Sequence, residues 1–286
     1  MGRLHIPLAL IIGLLLTSTS WYLSWAKLGW LSEYAFFPLW VGYILIVNGT
    51  TEVIYQDSLI RRLKGDFLYL FVISIPLWWF FEAVNSVVQN WHYVFATPVS
   101  TLRYTLQASL NFSTVVPAVL SAAFLTHRVA ERLVSPTLGL GKSLQLSNST
   151  AVWSIVLSVA MFATIVLLPK EAFPLVWIAP IGLLEALAYY QKVPLLLEDI
   201  SRGRYRLTAS LMIGTLFTGF WWELWNYYSL PKWIYTIPYV GFWKVFEMPM
   251  LGYFGYLFFG LIVFSYAAFA LHILAKRELR SLFFSN

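Results

Sequence analysis

The chain has 286 residues, 59% of them hydrophobic and only 11% charged, against about 25% charged in soluble domains. A mean hydropathy of +0.71 makes lipid its solvent, and the lack of cysteine excludes disulfides, thiolate nucleophiles, iron–sulfur clusters and Cys-ligated zinc. The net charge of +6 sits in short loops rather than on one basic face, which points to membrane topology and away from nucleic acid.

Apolar runs recur at the length a helix rising about 1.5 Å per residue needs to cross roughly 30 Å of hydrocarbon. Eight helices are predicted, over residues 4–25, 34–55, 67–87, 110–126, 151–168, 173–193, 209–228 and 250–274. The expected fold is therefore an all-α polytopic membrane protein, because the strict alternation of a transmembrane barrel is absent. The first stretch also has a signal-peptide layout, with Arg3, an apolar core and small residues at Ser18 to Ser20. Its apolar run continues through Trp21 to Trp25, which favours a retained helix with an interfacial anchor.

With eight crossings, Arg3, Arg61, Arg62, Lys64, Arg128, Arg132, Lys142, Lys192, Arg202, Arg204, Arg206, Lys276, Arg277 and Arg280 share one side, 14 of the 19 basic residues. Lys27, Arg103, Lys170, Lys232 and Lys244 occupy the other. The bias predicts a multi-pass protein of the plasma or inner membrane with both termini cytoplasmic.

An internal repeat is legible. Glu33-Tyr-Ala-Phe-Phe-Pro-Leu-Trp40 resembles Glu171-Ala-Phe-Pro-Leu-Val-Trp177, and Trp78-Trp79-Phe-Phe-Glu82-Ala-Val-Asn85 resembles Trp221-Trp222-Glu223-Leu-Trp-Asn226. Trp91-His-Tyr93 with Pro98 is then echoed by Trp233-Ile-Tyr235 with Pro238, all at offsets of about 136 to 143 residues. Two parallel four-helix repeats are expected, residues 1–140 as a diverged copy and 141–286 carrying the main site, within one membrane domain. Four is an even number, so equivalent residues should face one another across a central interface.

Acidic residues inside a membrane are costly, about 2.5 to 3.5 kcal/mol for an Asp at a helix centre. Glu52, Glu82, Glu185 and Glu223 lie within the predicted spans. Glu82 with Asn85 and Glu223 with Asn226 are spaced i and i+3, which sets each acid and amide on one helical face, able to bind a common ligand. Glu82 and Glu223 fall about 15 residues along their helices, some 22 Å up. Glu247 precedes the last helix on that same side, so Glu82, Glu223 and Glu247 are expected to converge on one outward-facing cavity. Trp78, Trp79, Trp91, Trp221, Trp222, Trp233 and Tyr235 would wall it. An acid among aromatic faces suits protonation of an alkene and shelter of the resulting carbocation. Glu52 and Glu185 read more simply as interhelical hydrogen-bonding groups. His5, His92, His127 and His272 lack metal-ligand spacing, so no metal or cofactor is expected.

Trp222-Glu223, then Trp233-Ile-Tyr235, then Glu247-Met-Pro249 opening an apolar helix, resembles the membrane lycopene cyclase domain, in which a Trp-acid step, a Trp-x-Tyr step and a Pro-x-Glu-Glu element occur in that order. The resemblance covers about 50 residues of the second half and, more faintly, residues 78–98. It implies a cofactor-poor membrane enzyme acting on a carotenoid, another polyisoprenoid or a related lipid by acid-initiated cyclisation, isomerisation or hydration. Glu223 and Glu247 would transfer protons, Asn226 would position them, and Glu82 with Asn85 would be the diverged counterpart. Here the proline follows the acid, the second Glu is missing, and Val116-Pro117 stands where the first half would carry its acid. Two other classes fit the residues: a carrier with Glu185, beside Pro180, and Glu52 as coupling groups, and a non-catalytic membrane subunit.

Overall fold

The computed structural model describes residues 6–133 and 147–284. Arg3, His5, Lys142 and the expected junction of the halves at residue 140 lie outside the described residues. Helix α1 (Leu8–Ala26) is followed by the single turn α2 (Trp30–Glu33), α3 (Phe36–Tyr55), the short α4 (Leu59–Leu63) and α5 (Phe67–Val88). Strand β1 (Trp91–Val94) leads to α6 (Thr101–Phe112) and α7 (Val115–Leu133). After α8 (Asn148–Leu167) and the turn α9 (Pro169–Ala172) come α10 (Ala179–Tyr190), α11 (Leu196–Ser201) and α12 (Arg206–Tyr228). Strands β2 (Lys232–Tyr235), β3 (Lys244–Val245) and β4 (Met248–Pro249) precede α13 (Tyr253–Ala275).

Among the described residues six helical stretches are long and apolar enough to cross a membrane, and a bent pair, Pro169–Trp177 with Ala179–Tyr190 at 41°, makes a seventh if it counts as one span. The predicted continuous helix over 173–193 is thus corrected to a broken one. Pro169, Pro174 and Pro180 each stand at the first or second position of a helical segment there, because proline lacks the amide that would continue a preceding ladder. The helix predicted over 209–228 exists as α12, yet it is not among the stretches apolar enough to count as a span. Its polar and small residues, among them Thr208, Ser210, Gly214, Thr215, Thr218, Gly219, Glu223 and Asn226, are buried rather than lipid-facing. Close packing accounts for the composition: a Cβ on Gly214 would lie 2.6 Å from the Ala123 backbone of α7, and one on Gly260 of α13 would lie 2.2 Å from the Thr215 hydroxyl.

The helix predicted over 110–126 begins nine residues earlier, at Thr101, as α6. Ser100 caps it by accepting the Arg103 amide at 3.3 Å. Arg103 is ion-paired with Glu33. Between α6 and α7 the ladder is interrupted at Ser113 and Thr114. Ser74 of α5, fully buried, donates to the Phe112 carbonyl and accepts the Val116 amide at 3.0 Å. Backbone groups freed by a break in a membrane helix need such a partner, since lipid supplies none.

Two short antiparallel ribbons add to the all-α expectation. β1 pairs β2 in the register Trp91↔Tyr235, His92↔Ile234, Tyr93↔Trp233 and Val94↔Lys232, and β3 pairs β4. Because β1 follows α5 and β2 follows α12, this pairing brings the C-terminal ends of α5 and α12 together. The two helices therefore run in the same sense. The opposite end is closed by the tail, where fully buried Phe283 sits among Phe124, Phe264 and His127. Arg62 donates to the carbonyls of Leu282 and Phe284 at 2.6 and 2.7 Å, and Arg280 grips buried Asp199 through two bonds of 2.7 and 2.9 Å.

Replacing Ser74 by Ala should leave the Phe112 carbonyl and the Val116 amide unsatisfied, a cost of about 1 to 3 kcal/mol for each buried group. A lowered thermal midpoint of the purified chain is the expected result. Ser86→Ala, at an exposed position on the same helix, should leave the midpoint where it was.

Candidate functional site

Each acid–amide pair sits in the last two turns of its helix, just before a strand. Asn85 accepts the amides of Asn90 and Trp91 at 2.9 and 3.2 Å on Oδ1 and donates Nδ2 to the Trp91 carbonyl at 2.8 Å. Asn226 does the same to Trp233, accepting its amide and donating to its carbonyl, both at 2.8 Å. Each carboxamide therefore completes the hydrogen bonding of a strand residue. The expectation that these amides share a ligand with their acids is corrected: both are committed to the backbone, and they fix the strands to the helix ends.

Once a strand is held there, its two-residue period carries alternate side chains to one face. Trp91 and Tyr93 point back at Glu82, whose Oε1 accepts Trp78 Nε1 at 3.0 Å, Trp91 Nε1 at 3.1 Å and Tyr93 OH at 2.7 Å. In the second half Trp233 Nε1 donates to Tyr235 OH at 2.8 Å, and Tyr235 OH donates to Glu223 Oε1 at 2.7 Å. A second phenol, Tyr256 of α13, reaches the same Glu223 oxygen at 2.6 Å. Glu223 is wholly buried, and its Oε2 has no partner among the described residues. Burial, reinforced by the neighbouring carboxylates, pushes the Tyr93 and Tyr235 phenols well above their ordinary range, so both remain protonated donors.

Directly opposed residues of a ribbon project to the same side, so Trp91, Tyr93, Trp233 and Tyr235 together roof one chamber. Its walls come from α1, α2, α3, α5, α6, α7, α12 and α13, around a cavity of about 140 Å³. Trp78 and Trp222 meet across it with ring centroids 5.1 Å apart, and Phe259 stands edge-on to Trp78 at 5.8 Å. The acids lie behind this lining rather than in it; their phenol and indole donors face the space.

Of the expected wall residues, Trp78, Trp91, Trp222, Trp233 and Tyr235 line the chamber. Trp79 is turned aside to Ser109 Oγ at 3.0 Å, and Trp221 packs on Trp225 and Trp21. Glu247 is ion-paired with Lys232 at the ribbon end, so it reaches the chamber's edge only through that lysine. Glu185 accepts Ser265 Oγ at 2.7 Å and the Leu197 amide at 3.0 Å, and Glu52 pairs with Arg61 at 3.1 Å, both away from the chamber. His92 bonds Thr236 at 2.9 Å, and among the described residues no group of three His, Asp or Glu could hold a metal ion.

Tyr256, Trp177, Phe259 and Tyr104 also line the chamber and were not anticipated. Tyr256 had a legible signal: Gly219 lies one turn before Glu223, and a Cβ there would come within 2.6 Å of the Tyr256 ring. In the first half the position one turn before the acid is Trp78, whose own indole supplies the bond. Glycine on α12 thus admits from another helix the donor that α5 provides itself. Comparison of the chain with protein-family models, with curated proteins and with solved structures returns no match.

Gly219→Ala is expected to push the Tyr256 ring off α12 and to lower the thermal midpoint by an amount equivalent to about 1 to 3 kcal/mol. Gly241→Ala, which meets only the Ile237 carbonyl at 3.4 Å, should be neutral in the same melting experiment.

Proposed function

We propose that the protein is an integral membrane enzyme acting on a polyisoprenoid, carotenoid-like or related lipid substrate by carboxyl-driven proton transfer. In this reading eight helices cross the plasma or inner membrane as two parallel four-helix repeats, both termini are cytoplasmic, and the chamber opens towards the outer leaflet. The observation that carries it is that two carboxylates at matching helix ends, Glu82 half-buried and Glu223 buried, are bonded by phenols that line one aromatic chamber.

Glu223 is the proton source. Its Oε1 meets Tyr235 and Tyr256, and its Oε2 has no partner among the described residues. With the acidic hydrogen on Oε1, Glu223 donates it to the Tyr256 oxygen while the Tyr256 hydroxyl turns its own proton to the alkene, leaving the Glu223 carboxylate. The cation formed lies against the aromatic lining to which Trp78 and Trp222 belong, whose quadrupoles stabilise positive charge. Loss of a proton to Glu82 through Tyr93 then completes cyclisation or isomerisation, and capture of water would give hydration. Glu82, with three donors on one oxygen, is already arranged as an acceptor. The carrier reading has less support, since Glu185 and Glu52 are each satisfied within the protein and the basic end is filled by Phe283.

Lipids extracted from the purified chain should include a polyisoprenoid. A Glu223→Gln chain should carry unprocessed substrate where the native chain carries product, and Tyr256→Phe should slow turnover by about 10²-fold or more, the usual contribution of a positioned acid. Identical lipid profiles by mass spectrometry from native and Glu223→Gln chains would refute the assignment.

A further inference from the structure

Helix α6 is built inside out. Leu102, Leu106 and Leu110, spaced i, i+4 and i+8, are 71%, 64% and 46% exposed on the outer surface. Tyr104, Gln107, Ala108 and Asn111, spaced i, i+3, i+4 and i+7, face the chamber. Leucines towards lipid and polar groups inward is the pattern of a membrane helix that serves a polar interior. Gln107 is used locally, donating to the Glu33 carbonyl. The Tyr104 hydroxyl, the Asn111 carboxamide and, across the chamber, the Ser24 hydroxyl make no hydrogen bond among the described residues. Asn111 lies ten residues from the start of α6, about 15 Å along the helix at about 1.5 Å per residue. An amide at that depth without a protein partner is costly unless a ligand satisfies it.

Charge narrows the ligand further. The cations nearest the chamber, Arg103 and Lys232, are each paired with an acid, Glu33 and Glu247. Among the described residues no uncompensated positive charge lines the chamber for a phosphate or carboxylate. The remaining groups, a hydroxyl pair and a carboxamide, both give and accept hydrogen bonds.

We infer that the chamber binds a neutral amphiphile, an isoprenoid-length apolar body with a hydroxyl or carbonyl group that is received by Asn111 and Tyr104. The inference rests on the chamber being the substrate site proposed above and adds the polarity of the substrate's head group. Asn111 and Tyr104 are binding residues in it, distinct from the phenols that face the acids.

The test uses the full chain in lipid nanodiscs and three retinoids sharing one polyene: retinol, retinoic acid and the hydrocarbon axerophtene. Energy transfer from the chamber tryptophans reports binding. Retinol should quench saturably with a Kd at least tenfold below those of the acid and the hydrocarbon. Asn111→Leu, which a lipid-embedded helix tolerates, should weaken retinol five- to tenfold and leave axerophtene unchanged. Tyr104→Phe should act in the same direction. Axerophtene or retinoic acid binding as tightly as retinol, or retinol affinity unaltered by both substitutions, would overturn the inference while leaving an isoprenoid chamber in place. Failure of all three to quench saturably would remove the chamber's role as an isoprenoid site, and the inference with it.

Discussion

Inside an apolar bundle a polar group has to find its partner in the chain itself, and most of this structure around the chamber follows from that requirement. Two glutamates and two asparagines near helix ends are supplied with donors and acceptors by the strands that follow them. The strands are held by the asparagines, the phenols by the strands, and the carboxylates by the phenols. Each hydrogen bond is worth only about 0.5 to 1.5 kcal/mol net, but an unmatched member would expose a desolvated group, so the set behaves as a unit. Ser74 meets the same requirement where α6 gives way to α7.

The ribbon turns two local arrangements into one site. Because Trp91 lies opposite Tyr235 and Tyr93 opposite Trp233, the aromatic face of each strand is continuous with the other, and both acids sit behind a common lining. The halves are not equivalent within it. Glu82 is served by its own helix and strand, whereas Glu223 depends on Tyr256 from α13, admitted by Gly219. This asymmetry gives otherwise matching carboxyls different surroundings, which the proposed proton transfer would use to separate donor from acceptor.

The chamber's two polarities have separate origins. The aromatic part is made where helix ends and strands meet, and it is closed to charge because Lys232 and Arg103 are already paired. The hydrogen-bonding part comes from α6, whose leucines face outward. A pure hydrocarbon would leave that face of α6 without partners.

Much of this could be read from the residues. Apolar length marked the crossing helices, the i, i+3 spacing singled out Glu82 with Asn85 and Glu223 with Asn226, and the Trp-x-Tyr echoes marked matching segments, though not that they are paired strands. These are short-range features, set by helical and strand periods that any chain of this pattern obeys. What the asparagines hold, which tryptophans face inward, and that Glu247 would meet Lys232 instead of the other acids depended on contacts 5 to 33 residues away or between the halves. The break at Trp177 and the inverted face of α6 likewise became visible only with their neighbours in place. Local sequence determined which groups had to be satisfied in lipid; the packing of distant segments decided by what, because burial selects partners by proximity in space and not along the chain.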